Sequence, residues 1–285
     1  MRIGVICGVS IAGIFLLPAF TLGQTKRTKS DADISAIGQR DIVRGPNSYS
    51  PEKERELGAA LTQQVDRSSK FLLDPAITTY VKRVALNIEQ NSDRHIPLTI
   101  HVIDGEEVRS FTLPGGHLYI TRGLLLRLEN EGELASVLAR GTAHMALHSD
   151  MSLTTKLDMA RDHSSAGTHL GIQVTDLKYF RDVEYDADYF GVQYLYKSGY
   201  EPECFLGLVQ LVGDAHGDTK GSVPEEFNPY PSVPLRLKAL QKEIAEILPK
   251  RVGAIVSTPE FREFKDRLQT MKPEGATPQN LSKDN

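Results

Sequence analysis

Residues 135–150, "ASVLARGTAHMALHSD", form the most informative segment of this sequence. Their apolar residues recur with the spacing of a buried helix. The segment also carries His144 and His148, which are four residues apart. In one continuous helix, residues with this spacing lie on the same face. Because imidazole nitrogens are common metal ligands, the segment predicts a metal-binding helix or the remains of one.

The same segment resembles HExxH, a helical motif in which two histidines bind zinc and the glutamate accepts a proton from the zinc-bound water. Arg140 and Gly141 stand at the first two positions, and His144 stands at the last. A guanidinium stays protonated and offers no lone pair, so Arg140 cannot be a ligand. Gly141 has no group that accepts a proton, and loss of a general base typically costs roughly 10²–10⁴ in rate.

The segments around this helix predict an α+β fold that is mostly α. Residues 97–104 alternate in polarity, and residues 110–123 resemble two short strands around a Pro-Gly-Gly turn. The remaining segments favour helix, with loop-like composition over residues 150–174. Further helices are expected to begin near Ser50, Asp74, Asp176, Glu201, Ser232 and Thr258.

Four segments, in order, resemble peptidase family M48, the zinc metallopeptidases that include the CAAX prenyl endopeptidase, the Oma-type mitochondrial protease and the periplasmic BepA-type proteases. "SFTLPGGHLYITRGLL" resembles the family's strand pair, and "NEGELASVLARGTAHMALHSD" resembles its active helix. "VEYDADYFGVQYLYKSGYEP" resembles the helix with the third ligand, and "FNPYPSVPLRLKAL" the late "HP…R" segment. The resemblance covers about residues 50–250. It implies a gluzincin-type metallopeptidase domain with a small β-sheet before the active-site helix.

The resemblance also implies roles for single residues, with zinc as the cofactor. His144 matches the second zinc histidine, Glu184 the third ligand, and Asp188 a carboxylate that orients a ligand. Tyr230 stands where the family often has a histidine before a proline, and Arg236 matches the family's arginine. Only two of the implied ligands are present, and two ligands hold zinc poorly.

The charge of Arg140 suggests a replacement for the metal. In the implied fold, Glu184 and Asp188 are partly buried carboxylates that face the active helix and need a cation. The guanidinium fork can reach Glu184 and form a bidentate pair. We therefore expect Arg140 to take the place of zinc in a protease fold without protease chemistry.

A second interpretation moves the metal site by one helical turn. His144 and His148 repeat the two-histidine spacing, with Met145 where the glutamate would be. A carboxylate of the long helix, or the loop residues His163 and His169, would complete the ligand set. In the simpler interpretation, His148 ends the helix, where a partly charged imidazole suits the helix dipole. The sequence leaves both interpretations open.

The N-terminus has the layout of a secretory signal peptide over residues 1–23, with an apolar run after Arg2 and small residues before the end. The run is borderline for a bilayer span, so an uncleaved anchor that faces the periplasm is the alternative. Residues 24–49 are polar and predict a flexible leader. Cleavage would leave Cys204 as the one cysteine, and export without a disulfide fits a bacterial periplasm.

Composition limits the class of partner. The chain has 285 residues, of which 40% are hydrophobic, and a formal net charge of −4. This suits one sizeable domain, here residues 50–250, followed by a C-terminal helix and polar tail over residues 251–285. A net acidic chain argues against nucleic acid as a partner. Membrane contact is expected only if the N-terminal segment is uncleaved.

The sequence supports two possible functions, one as a binding protein and one as an enzyme. The first is a non-catalytic protein of envelope protein quality control that binds unfolded or envelope proteins and peptides. In it, the edge of the sheet formed by residues 110–123 would pair with an extended peptide. The second is a zinc metalloendopeptidase that uses His144 and Glu184 and, in the shifted version, His148. The residues favour the first function and the family favours the second.

Overall fold

The computed structural model describes residues 27–94, 97–152, 154–155, 174–215 and 231–271. The predicted signal peptide, the loop histidines His163 and His169, and Tyr230 lie outside these residues. Within the described part of the chain, no helix is long and apolar enough to cross a membrane.

The predicted α+β and mostly helical fold is confirmed. Helices precede and follow a small sheet, as the sequence order predicts. The helices are α1 (Lys29–Ala32), α2 (Pro51–Ser68), α3 (Pro75–Gln90), α4 (Arg122–Arg127), α5 (Glu131–Ala146), α6 (Val174–Lys197), α7 (Cys204–Ala215), α8 (Val233–Ile247) and α9 (Pro259–Thr270), and Ile34–Ala36 forms a 3₁₀ turn. The strands are β1 (Thr99–Ile103), β2 (Ser110–Leu113) and β3 (His117–Thr121).

The starts of α2 and α3 are set by capping residues that are visible in the sequence. Ser50 accepts a hydrogen bond from the backbone N–H of Lys53, and the Asp74 carboxylate accepts two from the first turn of α3. A proline follows each cap at the first helical position. There its missing N–H costs nothing, because the first N–H groups of a helix have no partner within it. Both predicted helix starts are confirmed.

The three strands lie in the order β1-β3-β2, with β1 parallel and β2 antiparallel to β3. The backbone N–H of Thr121 donates to the carbonyl of Arg109, so these two residues face each other in the hydrogen-bonded register. In an antiparallel pair this register alternates. The backbone groups of Thr112 therefore point away from β3, toward the free edge of the sheet.

Helix α5 lies at the centre of the fold, where it packs against α3, α6, α7 and the sheet. Thirteen of its sixteen residues are buried. A Cβ atom at Gly191 of α6 would lie 3.2 Å from the Cα of Arg140, so glycine permits the close approach of α5 and α6. This approach brings the side chains of the two helices together at the candidate site.

Residues 27–49, which we call the N-terminal strap, lie against the domain. The Arg40 side chain is 1% exposed and pairs with Asp93 at an Nη2–Oδ2 distance of 2.5 Å. Its Nη1 donates to the Oε1 of Gln193 at 2.7 Å, and Ile42 is buried in the core. This differs from the predicted flexible leader, because the charged residues that suggested solvation have buried partners of opposite charge.

The C-terminal helix α9 belongs to the same core as the rest of the domain. Phe261, Phe264 and Leu268 are buried. Lys265 donates to three carbonyl oxygens at the end of α4, at 2.6–3.2 Å. Lysine commonly satisfies the last carbonyls of a helix in this way. The boundary that the sequence suggests at residue 250 therefore does not separate α9 from the domain.

Candidate functional site

Arg140 contacts both carboxylates of the implied metal site. Glu184 and Asp188 are four residues apart on α6, so they share the face that meets α5. The Nη2 of Arg140 donates a short hydrogen bond to the Oε2 of Glu184, and its Nε donates to the Oδ1 of Asp188 at 3.2 Å. The guanidinium is thus divided between two carboxylates, whereas the sequence predicted a bidentate pair with Glu184.

Arg236 brings α8 to the same site. Its Nε and Nη2 donate to the two oxygens of Asp188, each at 2.7 Å. This is the bidentate geometry that arginine forms with carboxylates. We call Arg140, Glu184, Asp188 and Arg236 the four-charge cluster. Its two positive and two negative charges sum to zero, and it connects α5, α6 and α8.

The two carboxylates of the cluster are held in their charged forms. Burial pushes the pKa of Glu184 upward, but neighbouring positive charge, chiefly that of Arg140, outweighs it and keeps that pKa below its usual value. Burial also raises the pKa of Asp188, and the two arginines more than offset this effect through charge and hydrogen bonds. A buried carboxylate needs such a cation nearby, and here guanidinium groups supply it.

His144 lies one turn further along α5. Its Nε2 is 4.0 Å from the Oε1 of Glu184, which is too far for a hydrogen bond. Burial, followed by the charge of Arg140, lowers the pKa of His144 to about 4. The imidazole is therefore neutral at physiological pH, beside a cluster that is complete without it.

Gly141 faces the sheet at a point of tight packing. A Cβ atom built at this position would lie 2.8 Å from the Cδ1 of Leu118 and 3.1 Å from its Cδ2. Leu118 lies on β3 and is 1% exposed, so its side chain has little room to move. Leu118 therefore occupies the space in which a larger residue at position 141 would begin. A side chain at position 141 would therefore require Leu118 to shift.

His148 does not share a helix face with His144, because α5 ends at Ala146 between them. The backbone of His148 has a φ of 52°, in the left-handed region that few non-glycine residues adopt. Its Nδ1 lies 3.1 Å from the Oε2 of Glu54 on α2, and this hydrogen bond raises the pKa of His148. A shifted site would need a continuous helix through His148, whereas in the structure His148 lies beyond the end of α5 and pairs with Glu54.

A cavity of about 290 Å³ opens beside His144 and His148. Its walls come from distant parts of the chain, chiefly the strap residues 39–43, the turn between β2 and β3, and the end of α5 with the residues that follow it. Buried Arg94 also lines it, and its Nε and Nη1 atoms have no hydrogen-bond partner in the described residues. No sequence motif marks Arg94, because the segments that form the cavity are distant in the chain.

The residues at this site do not fit the zinc ion that the family implies. Zinc sites in proteins use three or four nitrogen, sulfur or oxygen ligands. Among the described residues, no group of three or more His, Cys, Asp or Glu side chains is placed to hold a metal ion. His144 and Glu184 are the two matching donors. Arg140 adds a permanent positive charge beside them, and that charge repels a dication.

The comparisons with known proteins agree with the predicted family. The model of peptidase family M48 matches residues 73–244. The beta-barrel assembly-enhancing protease of Escherichia coli K12 is 23% identical over 70% of this chain and 45% of its own. The mitochondrial metalloendopeptidase OMA1 of Schizosaccharomyces pombe is 27% identical over 61% of this chain and 55% of its own.

A third relative is similar in length. The metalloprotease YcaL of Escherichia coli K12 is 24% identical over 76% of this chain and 82% of its own. By contrast, the chain spans less than half the length of the beta-barrel assembly-enhancing proteases that it matches. The family model covers more than half of the chain, from α3 to α8, and confirms the predicted resemblance. This chain belongs to peptidase family M48.

Proposed function

We propose that this chain is a non-catalytic member of its family that binds extended polypeptides, as part of envelope protein quality control. The observation that carries the proposal is the four-charge cluster. Its arginine, Arg140, contacts both Glu184 and Asp188, the carboxylates that the resemblance assigns to the metal site. A site whose charges already balance has no electrostatic need for a metal ion.

Two separate losses argue against hydrolysis. Arg140 offers no lone pair to a metal, and Gly141 offers no base to a water molecule. Loss of a general base alone costs roughly 10²–10⁴ in rate, and the base is useful only where a bound metal activates the water. In the present packing, a side chain at position 141 would also have to displace Leu118.

Binding would use the surface along the free edge of β2 and the cavity at its end, which together we call the edge groove. Within the described residues, the outward backbone groups of Thr112 make no backbone hydrogen bond and could pair with an added strand, which is how extended peptides bind many sheet edges. Leu113, at the end of β2, lines the cavity together with His144. A paired chain would therefore run from the sheet edge toward the four-charge cluster.

The proposed location is the bacterial periplasm, with unfolded or envelope proteins as clients. The signal-peptide layout of residues 1–23 supports export, and an uncleaved anchor that faces the periplasm is the alternative. The name of the bacterial relatives refers to beta-barrel assembly, which is consistent with envelope clients.

The rival function is zinc-dependent proteolysis at a non-standard site. It is favoured by the relatives, which are named as proteases, and by the proximity of His144 to Glu184. Casein hydrolysis with and without a chelator separates the two functions. We expect no chelator-sensitive cleavage. Chelator-sensitive cleavage that disappears in Glu184→Ala would establish the protease and overturn the proposal.

Binding is tested with reduced, carboxymethylated lactalbumin, a protein that cannot refold, by fluorescence anisotropy. Thr112→Pro removes the outward N–H of β2 without removing a hydrogen bond to β3. Thr112→Ala is the matched control, because both variants lose the hydroxyl that donates to Asp150. We expect the proline variant to lose binding and the alanine variant to keep it. Equal binding by both variants would contradict the edge groove.

A further inference from the structure

One guanidinium nitrogen of Arg140 takes no part in the hydrogen bonds of the four-charge cluster. Nε pairs with Asp188 and Nη2 with Glu184, whereas Nη1 makes no hydrogen bond within the described residues. Nη1 is also not among the buried atoms that lack partners, and the side chain is 22% exposed. The two hydrogens of Nη1 are therefore accessible from outside the cluster.

The charge balance of the cluster determines which acceptor suits this donor. Glu184 and Asp188 already neutralise the two arginines, so the site has no net charge to attract an anion. A carboxylate that approached Nη1 would also come close to the carboxylate of Glu184, and like charges at such distances repel. A peptide carbonyl oxygen carries no net charge and accepts a hydrogen bond from a guanidinium. The neutral acceptor is therefore favoured.

Arg140 lies one helical turn from a residue that lines the edge groove. Arg140 lies one turn before His144 on α5, and α5 packs against β2. His144 and Leu113 of β2 line the same cavity. The backbone carbonyls of a chain that pairs with β2 would thus lie near the part of α5 that holds Arg140 and His144.

From these observations, and resting on the proposed function, we infer that Nη1 of Arg140 donates a hydrogen bond to a backbone carbonyl of the bound polypeptide. The bound segment is an internal stretch of an extended chain and not a chain terminus. Arg140 therefore has two roles, since two of its nitrogens hold the carboxylates of α6 and the third binds the ligand.

The expected effect is large enough to measure. Hydrogen bonds to charged donors are stronger than those between neutral groups, and the loss of one corresponds to roughly a ten-fold or greater loss of affinity. Arg140→Gln shortens the side chain so that its amide cannot reach the position of Nη1, and Arg140→Lys replaces the three-nitrogen fork with a single nitrogen while a positive charge remains near Glu184. Arg267→Gln is the matched control. Arg267 lies on α9 and pairs with Asp74, so this variant also breaks an arginine–aspartate pair.

The assay is anisotropy with reduced, carboxymethylated lactalbumin and with one synthetic segment of it, made with a free or an amidated C-terminus. We expect both Arg140 variants to bind about ten-fold more weakly, the control to bind like wild type, and amidation to have no effect. If Arg140→Gln fails to fold, the affinity of Arg140→Lys tests the inference in its place. Wild-type affinity in a folded Arg140 variant, or a loss of binding on amidation, would overturn the inference.

The test separates this inference from the proposed function. If Thr112→Pro abolishes binding while the Arg140 variants bind normally, the edge groove stands and the role of Nη1 is refuted. If wild-type protein does not bind the unfolded probe at all, the proposed function itself fails.

Discussion

Replacement of Arg140 by methionine removes the cation of Glu184 while most of the side-chain volume remains. Arg236 still holds Asp188 through two hydrogen bonds of 2.7 Å, so the damage falls on Glu184. Two charges about 4 Å apart attract by about 4 kcal/mol at an effective dielectric constant near 20. Breaking a buried ion pair typically costs roughly 3–5 kcal/mol.

Here Arg140 is 22% exposed and Glu184 is 15% exposed, which lets water compensate in part. We therefore expect Arg140→Met to lower the free energy of unfolding by about 2–3 kcal/mol. Urea denaturation followed by circular dichroism measures this value. Glu184→Gln in the same background removes the uncompensated charge and should recover part of the loss, with a coupling energy of about 2 kcal/mol in the double-mutant cycle.

The effect of Arg140 should also depend on pH. Nearby cations hold the pKa of Glu184 below its ordinary value of 4.5, so this carboxylate stabilises the folded state at higher pH. That stabilisation is lost as the pH falls through the lowered pKa of the folded state. The stability difference between wild type and Arg140→Met should therefore shrink at acidic pH. Equal stability of the two proteins at pH 7, or strictly additive effects of the two substitutions, would refute this reasoning.

Three further predictions concern packing, pH and the strap. Gly141→Ala should lower the melting temperature, because contact with Leu118 costs roughly 1–3 kcal/mol and outweighs the gain of about 1 kcal/mol in helix propensity; a higher melting temperature would contradict this. Burial and a neighbouring histidine lower the pKa of His101 in the folded state, so the unfolded state binds protons more readily below pH 6.5. The free energy of unfolding should therefore fall as the pH drops below 6.5, and less steeply in His101→Gln, as urea midpoints would measure. Arg40→Ala leaves Asp93 buried without its cation, so it should cost roughly 3–5 kcal/mol and expose the strap to limited proteolysis.

The sequence predicted the elements that depend on local signals. The capping residues and prolines located α2 and α3, and the Pro-Gly-Gly turn located β2 and β3. The four family segments located α5, α6 and α8, because their order and spacing are specific. The expected contact between Arg140 and Glu184 followed from charge complementarity once the fold was assumed.

Features that depend on tertiary contacts were not predictable in the same way. The strap has the polar composition of a solvated leader, and the buried partners Asp93 and Gln193 explain why Arg40 docks there. The spacing of His144 and His148 suggested a common face, but the end of α5 depends on backbone turning after Ala146. The contact between Gly141 and Leu118 joins a helix and a strand that no sequence pattern relates.

The most direct test of the account is the zinc content of the purified protein after incubation with excess zinc and dialysis, measured by mass spectrometry of the metal. If Arg140 replaces the cation of the metal site, zinc will be far below one ion per chain, and His144→Ala will leave that amount unchanged. One firmly held zinc ion per chain that is lost in His144→Ala would contradict the account.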